Sequence, residues 1–177
     1  MPGLPHSWVI RPGISGVLGA IGTATALVVF LSPVPMFHRI RKAGDTLGFS
    51  GTPYLVTNVQ CFAWVIYCSM TPGRQSPLLT NAIGMGFETV YCALFLFYAH
   101  GDVRGAYLRL LAFSTAGCLA FLALVYAVSP PNRAQFVGYV AMVLNIISYS
   151  APLGVMGNVI KTKSVARWVC LVLDPLF

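Results

Sequence analysis

The sequence predicts an all-α membrane protein with five spanning helices, and three observations carry that prediction. Of 177 residues, 57% are hydrophobic and 8% are charged, against roughly a quarter charged in soluble domains. The apolar residues gather into runs at 14–32, 53–70, 78–98, 110–128 and 136–160. Each run is close to the roughly 20 residues that a helix needs to cross a hydrocarbon core about 30 Å thick. Within a bilayer the backbone must satisfy its own hydrogen bonds, so the runs are expected as helices and not as strands.

Residues 1–12 are polar and interrupted by proline, so no cleavable signal peptide is expected and the first run serves as the insertion signal. That run ends near Pro33, and the second starts at Pro53. The third carries Asn81, Gly84 and Glu88, and the fifth carries Asn145, Ser148 and Pro152. Beyond Lys163 the longest apolar stretch is 168–173, and six residues rise about 9 Å as a helix, too little to cross.

Charge sets the expected orientation. Arg39, Arg41, Lys42, Arg104, Arg109, Lys161, Lys163 and Arg167 fall on one side of the alternating runs, and Arg11, Arg74 and Arg133 fall on the other. Lys and Arg accumulate in cytoplasmic loops, so the N-terminus is expected outside and the C-terminus in the cytosol. The net charge of +7 is dispersed among these short groups, and that argues against a nucleic-acid partner. Cys61, Cys68, Cys92, Cys118 and Cys170 contain no C-x-x-C pair; they read as small apolar residues, with no metal site implied. There is no nucleophile elbow, phosphate loop, zinc-protease motif or carboxylate pair, so an enzyme is not expected.

Polar groups at membrane depth usually face a bundle interior or a water-filled path. Asn81, Gly84 and Glu88 fall at i, i+3 and i+7, one helical face, and Asn145, Ser148 and Pro152 repeat that spacing. The two stripes line one cavity, or they hold helices together through hydrogen bonds of about a kcal/mol or less each. A neutral amide offers both a donor and an acceptor. Glu88 is a lone acid, a conceivable proton relay but more readily a structural group. Pro33, Pro53 and Pro152 lie at or near helix ends, as hinges or as plain termini. Trp64 and Tyr67 form a gate or stacking surface, or belong to an interfacial aromatic belt. Laying Pro33 on Pro152 aligns Phe37 and Ile40 with Met156 and Val159, and Lys42 with Lys161. This weak repeat, with both segments ending a helix that enters the cytosol, needs the fourth run as a linker if its copies are parallel.

Several ordered segments resemble the SWEET family of sugar transporters. They are Thr23-Ala24-Thr25-Ala26-Leu27 with Phe30-Leu31-Ser32-Pro33-Val34-Pro35-Met36-Phe37, then Phe49-Ser50-Gly51-Thr52-Pro53-Tyr54. Thr80-Asn81-Ala82-Ile83-Gly84, Glu88-Thr89-Val90-Tyr91 and Leu96-Phe97-Tyr98-Ala99 follow, and Tyr149-Ser150-Ala151-Pro152-Leu153 leads to Val159-Ile160-Lys161-Thr162-Lys163-Ser164-Val165. The resemblance implies two triple-helix bundles joined by a linker helix as parallel repeats, and facilitated, bidirectional diffusion of mono- or disaccharides by alternating access without a cofactor. It implies that Asn81 binds sugar, that Val29 lines the pocket at a position linked to sugar size, that Pro33, Pro53 and Pro152 are hinges, and that Tyr67 is an outer gate. Asn145 and Trp64 are added as substrate-binding candidates.

Two departures stand out. Thr23 occupies a position where the family usually has Asn. After Val165 the family continues into two further helices, whereas Ala166-Arg167-Trp168 diverges. The expected organisation is an extracytoplasmic tail over 1–12, a first triple-helix bundle over 13–99, a linker helix over 100–130 and an incomplete second bundle over 131–177. A chain truncated in this way is expected to carry a glucose-, fructose- or sucrose-class sugar only as a homo- or hetero-oligomer with SWEET-type chains in a lipid bilayer, most readily the plasma membrane. The alternative is a non-transporting subunit that modulates full-length transporters.

Overall fold

A computed structural model describes residues 12–128 and 130–162, with side chains described within 16–148. The N-terminal tail, Cys170 and the segment from Lys163 onward lie outside the described residues. Six helices follow in order: α1 (Pro12–Leu31), α2 (Val34–Ala43), α3 (Thr52–Met70), α4 (Gln75–Tyr98), α5 (Gly101–Ala127) and α6 (Pro130–Thr162). The five long helices coincide with the five apolar runs.

Three helical stretches, Gly16–Ala43, Gln75–Tyr98 and Gly101–Ala127, are long and apolar enough to cross a membrane. Helix α3 is less apolar because it carries Thr57, Asn58 and Gln60. It is packed against α4, α5 and α6, so little of it has to face lipid. Helix α5 begins nine residues before the apolar run at 110, because Asp102, Arg104 and Arg109 lie on its first, exposed turns.

The break between α1 and α2 follows from two prolines. Pro33 has no N–H to give the Val29 carbonyl, and Pro35 has none for Leu31. Ser32 replaces the first bond twice, its N–H donating to Val29 O at 3.1 Å and its hydroxyl at 2.7 Å. Helix α2 then restarts with Phe37 N–H donating to Pro33 O at 3.0 Å. It is amphipathic: Phe37 and Ile40 are buried, while His38, Arg39, Arg41 and Lys42 are exposed. The apolar runs alone did not reveal α2, because ten residues with four basic or titratable side chains form no spanning run. Gly44, at φ 72°, ends it by donating its N–H to Ile40 O. Pro53 sits in the first turn of α3, where a missing N–H goes unnoticed.

Of the two readings of Pro152, hinge or plain terminus, the terminus is set aside: α6 continues through it to Thr162, as the apolar run to 160 implies. A single proline deletes one backbone bond, which a membrane helix tolerates, whereas the Pro33 and Pro35 pair deletes two within one turn.

Side-chain pairs fix how the helices pack. Between α1 and α4, Gly19 meets Ser76, Thr23 meets Thr80 and Phe30 meets Gly84, so these helices are parallel. Asn58 of α3 donates to Met85 O at 3.1 Å and to Thr89 Oγ1 at 2.8 Å on α4, and α3 meets α6 through Gln60 with Asn145 and Tyr67 with Gly138. Both of those pairs are antiparallel, so α1 and α6 point the same way, as a parallel repeat requires. The result is a curved row α1, α4, α3, α6, with α5 against α3, α4 and α6.

The α2 end of the row is closed by aromatic packing. Phe37 stacks on Tyr91 with ring centroids 4.8 Å apart, Tyr54 meets Phe37 edge-on at 5.1 Å, and Phe95 meets Tyr107 at 4.7 Å. Gly51 leaves no room for a Cβ between Phe95 and Tyr107, so the loop over 44–51 lies directly on these rings.

Candidate functional site

On the inner side of the curved row, α1, α3, α4 and α6 enclose a cleft of about 700 Å³, within the range of small-molecule sites. Helix α1 contributes Ala26, Val29 and Phe30, and α3 contributes Thr57, Gln60, Cys61 and Trp64. Pro77, Thr80 and Asn81 of α4 face Asn145 and Ser148 of α6, and Arg74 stands at the α3–α4 turn. A polar groove of about 600 Å³ between α1 and α4 adjoins it, sharing Arg74, Pro77, Thr80 and Asn81. All four residues read from the sequence as substrate-binding, Val29, Trp64, Asn81 and Asn145, therefore line a single cavity.

The stripe of Asn81, Gly84 and Glu88 requires correction. Only Asn81 reaches the cleft. The Phe30 ring lies directly on Gly84, where a Cβ would collide with it, and Glu88 is 5% exposed. Geometrically these residues share a helical face, but Phe30 from the parallel α1 covers its lower part. Glu88 Oε2 has no hydrogen-bond partner among the described residues, and the residue is buried beneath the cleft with no acid beside it.

On α6, Asn145 and Ser148 line the cleft, and Asn145 also bonds to Gln60 of α3, so both readings of the spacing apply there; the Pro152 side chain lies outside the described residues. Tyr67 does not line this cavity. Its ring meets Trp64 edge-on at 5.6 Å and 84°, and it packs on Gly138, whose missing Cβ would stand 3.0 Å from the ring. Pro33 marks the α1–α2 break and Pro53 the start of α3.

Each polar wall group keeps capacity for a ligand. Asn81 Nδ2 donates to Pro77 O at 2.9 Å, leaving its Oδ1 without a partner among the described residues. Gln60 Nε2 donates to Asn145 Oδ1 across the α3–α6 interface, so Gln60 Oε1 and the Asn145 N–H groups remain. Ser148 donates back to Leu144 O at 2.9 Å, leaving its hydroxyl oxygen as an acceptor. Thr23, at the position where Asn was expected, joins α1 to α4 by contacts of 2.8 Å to Thr80 Oγ1 and 3.2 Å to Ser76 Oγ. The lining thus combines neutral amides, hydroxyls and an indole with the Arg74 guanidinium at the α3–α4 turn, and contains no carboxylate. Away from Arg74 such a surface suits an uncharged, polyhydroxylated molecule. Among the described residues no cluster of three His, Cys, Asp or Glu could hold a metal, and Cys61, Cys68 and Cys92 are buried with free thiols.

Sequence reasoning passed over Gln60 and Thr57. Their signal was present as polar residues inside an apolar run, one helical turn apart and one turn before Trp64. Asn58, their neighbour, faces α4 instead and acts as a clamp between helices.

Residues 16–102 match a family described as sugar efflux transporters for intercellular exchange. The chain is 41% identical over 156 residues to the bidirectional sugar transporter SWEET4 of Oryza sativa subsp. japonica, covering 86% of this chain and 60% of that one. It is 34% identical over 149 residues to the bidirectional sugar transporter N3 of Medicago truncatula, covering 83% and 56%. The chain therefore spans about three-fifths of the length of these curated relatives. The solved structure of a eukaryotic SWEET transporter superposes with a TM-score of 0.75 at 37% identity, over 84% of this chain and 71% of that one. With the ordered motifs, the helix row and this level of identity in agreement, the chain belongs to the SWEET family.

Proposed function

We propose that this chain forms a pathway for sugar across a membrane, moving mono- or disaccharides passively in both directions by alternating access, and that it does so as an oligomer. The observation that carries the reading is the convergence of Val29, Trp64, Asn81 and Asn145 on one amide-rich cleft that contains no carboxylate. Asn81 and Asn145 bind hydroxyls, the Trp64 indole packs on a sugar ring, and Val29 sets the width. No carboxylate or histidine is among the residues lining the cleft, and this fits facilitated diffusion without proton coupling. The names of the similar plant proteins support the same substrate class.

Alternating access in parallel-repeat folds rocks two bundles about a midplane site. Here α1 packs on α4 and α6 packs on α3, so among the described residues the cleft between α1 and α6 has walls but no packed closure opposite α3 and α4. A second SWEET-type chain seated there completes the pathway and covers the polar capacity of Asn145 and Ser148 that their bonds to Gln60 and the Leu144 carbonyl leave unused. The break at Pro33 and Pro35, the start of α3 at Pro53 and the proline within α6 are the hinges, and Tyr67 on Trp64 is the outer gate. The exposed basic face of α2 supports placing the α2 end in the cytosol and the N-terminus outside, with the plasma membrane as the site of action.

Reconstitution in liposomes at low and high protein-to-lipid ratio, with glucose and sucrose flux read against empty vesicles, tests this. Saturable flux that rises more than in proportion to protein density is expected. Saturable flux from dispersed monomers overturns the oligomer. No flux at any density overturns transport and favours a subunit that modulates longer relatives.

A further inference from the structure

We propose that the α2 end of the bundle is a docking site for an anionic phospholipid, with the headgroup phosphate on the basic face of α2 and an acyl chain in a slot beside α5. None of the residues involved lines the cleft of Asn81 and Asn145, so the inference stands apart from the sugar reading.

Depth comes from the length of the first helix. Helix α1 has 20 residues and rises about 30 Å, the full thickness of a hydrocarbon core, so α2, which follows it, stands at headgroup level. Among the described residues Arg39, Arg41 and Lys42 are exposed cations without an acidic partner; the acid of the neighbouring loop, Asp45, pairs instead with His100 at 3.9 Å. Phe37 and Ile40 hold the opposite face of α2 on the aromatic cluster, so the charged face cannot turn inward. Tyr107 of α5 belongs to the same cluster, and Arg104, one turn before it, adds a further exposed cation. Arginine grips two phosphate oxygens at once, and basic groups at this depth attract anionic headgroups.

Two apolar features select a lipid over a soluble anion. The first is Leu47, held in the 44–51 loop at φ 53°, where a bulky side chain is strained, and yet 47% exposed. Gly44 and Gly48 adopt the same region of φ without strain. Little within the protein rewards the strained leucine, whereas insertion among acyl chains beneath the headgroups buries it. The second feature is a slot of about 310 Å³ walled by Phe49, Phe95, Val103, Ala106 and Leu110. Val103 is 49% exposed, so the slot opens outward beside α5. A free phosphate uses neither Leu47 nor the slot. A phospholipid uses both while its phosphate meets the cations, and it anchors the segment that follows the break at Pro33 and Pro35.

Thermal unfolding of the purified chain in a neutral detergent reads the binding, with dioleoylphosphatidylglycerol, dioleoylphosphatidylcholine or inorganic phosphate added. Phosphatidylglycerol is expected to raise the melting temperature by about 3 to 6 °C at tenfold its dissociation constant, and the other two to leave it unchanged. The combined Arg39→Gln, Arg41→Gln and Lys42→Gln chain loses the rise. So does the unmodified chain in about 1 M salt, which screens charges beyond about 3 Å. Arg133→Gln, at the start of α6 and hence at the opposite end of the bundle, keeps it. Leu47→Gly is no less stable in detergent alone, since glycine adopts that φ freely, yet shows a smaller rise. Equal rises from the two lipids in the unmodified chain overturn the proposal without reliance on any variant. A rise from phosphate alone, or an undiminished rise in Leu47→Gly, replaces the lipid with a soluble anion. Loss of the rise in Arg133→Gln assigns it to overall charge and removes the site.

Discussion

The hydroxyl of Tyr91 on α4 donates to the backbone carbonyl of Phe30 on α1 at 2.7 Å, in the last turn before the helix breaks. The carbonyls of that turn have lost their usual helical partners to the break and its prolines, so a side chain three helices later in the sequence completes the first one. Tyr91 also stacks on Phe37 of α2, which places one residue against both sides of the break.

Tyr91→Phe keeps the stacking and removes the donor, leaving the Phe30 carbonyl unpaired. A loss of about 1 kcal/mol in stability is expected, at the upper part of the range for hydrogen bonds between membrane helices. Thermal unfolding in detergent measures it, and a melting temperature equal to that of the unmodified protein would show that the carbonyl finds another donor.

Gly84 and Phe30 form a second α1–α4 contact with no room for a methyl group. Gly84→Ala is expected to cost about 1 to 3 kcal/mol by overpacking. Phe30→Leu in the same chain should recover most of that loss, since residues in direct contact are not additive. Additive destabilisation in a double-mutant cycle would count against the contact.

Two asparagines separate binding from packing. Asn81→Ala removes the free amide oxygen of the cleft and is expected to abolish sugar binding and uptake while the chain still reaches the membrane. Asn58→Ala breaks the clamp to Met85 O and Thr89 Oγ1. It should cost about 0.6 to 1.7 kcal/mol of stability and leave sugar affinity in the folded fraction unaltered. Uptake measured beside surface abundance distinguishes them, and normal uptake by Asn81→Ala would reduce that residue to helix packing.

The basic face of α2 and the turn between α3 and α4 should lie on opposite sides of the membrane. A glycosylation acceptor carried on an insert in residues 71–74 is expected to be modified, and one in residues 44–51 is not. The reverse pattern would invert the topology inferred from the loop charges.

Composition and run length by themselves determined that the chain is helical, crosses a membrane and has five long helices, because a bilayer imposes length and apolarity on each helix separately. The family motifs placed Asn81 and Val29 as site candidates, and the polar spacing of the fifth run and the aromatics of the second added Asn145 and Trp64. Tertiary packing decided which polar residues share the cavity. Gly84 and Glu88 lie on the helical face of Asn81, yet Phe30 arrives from α1 and covers Gly84 while Glu88 is buried, and no periodicity within α4 encodes a ring from another helix. Gln60 looked like any polar residue in an apolar run until the antiparallel approach of α6 brought Asn145 to it. The short helix α2 escaped the run-length test because its apolar side is only Phe37 and Ile40, buried by the aromatic cluster. Pro33 and Pro152 look alike as single residues, but one breaks its helix and the other is carried through. The difference lies in Pro35, which deletes a second backbone bond in the same turn, and in the Tyr91 hydroxyl that stabilises the break once it has formed.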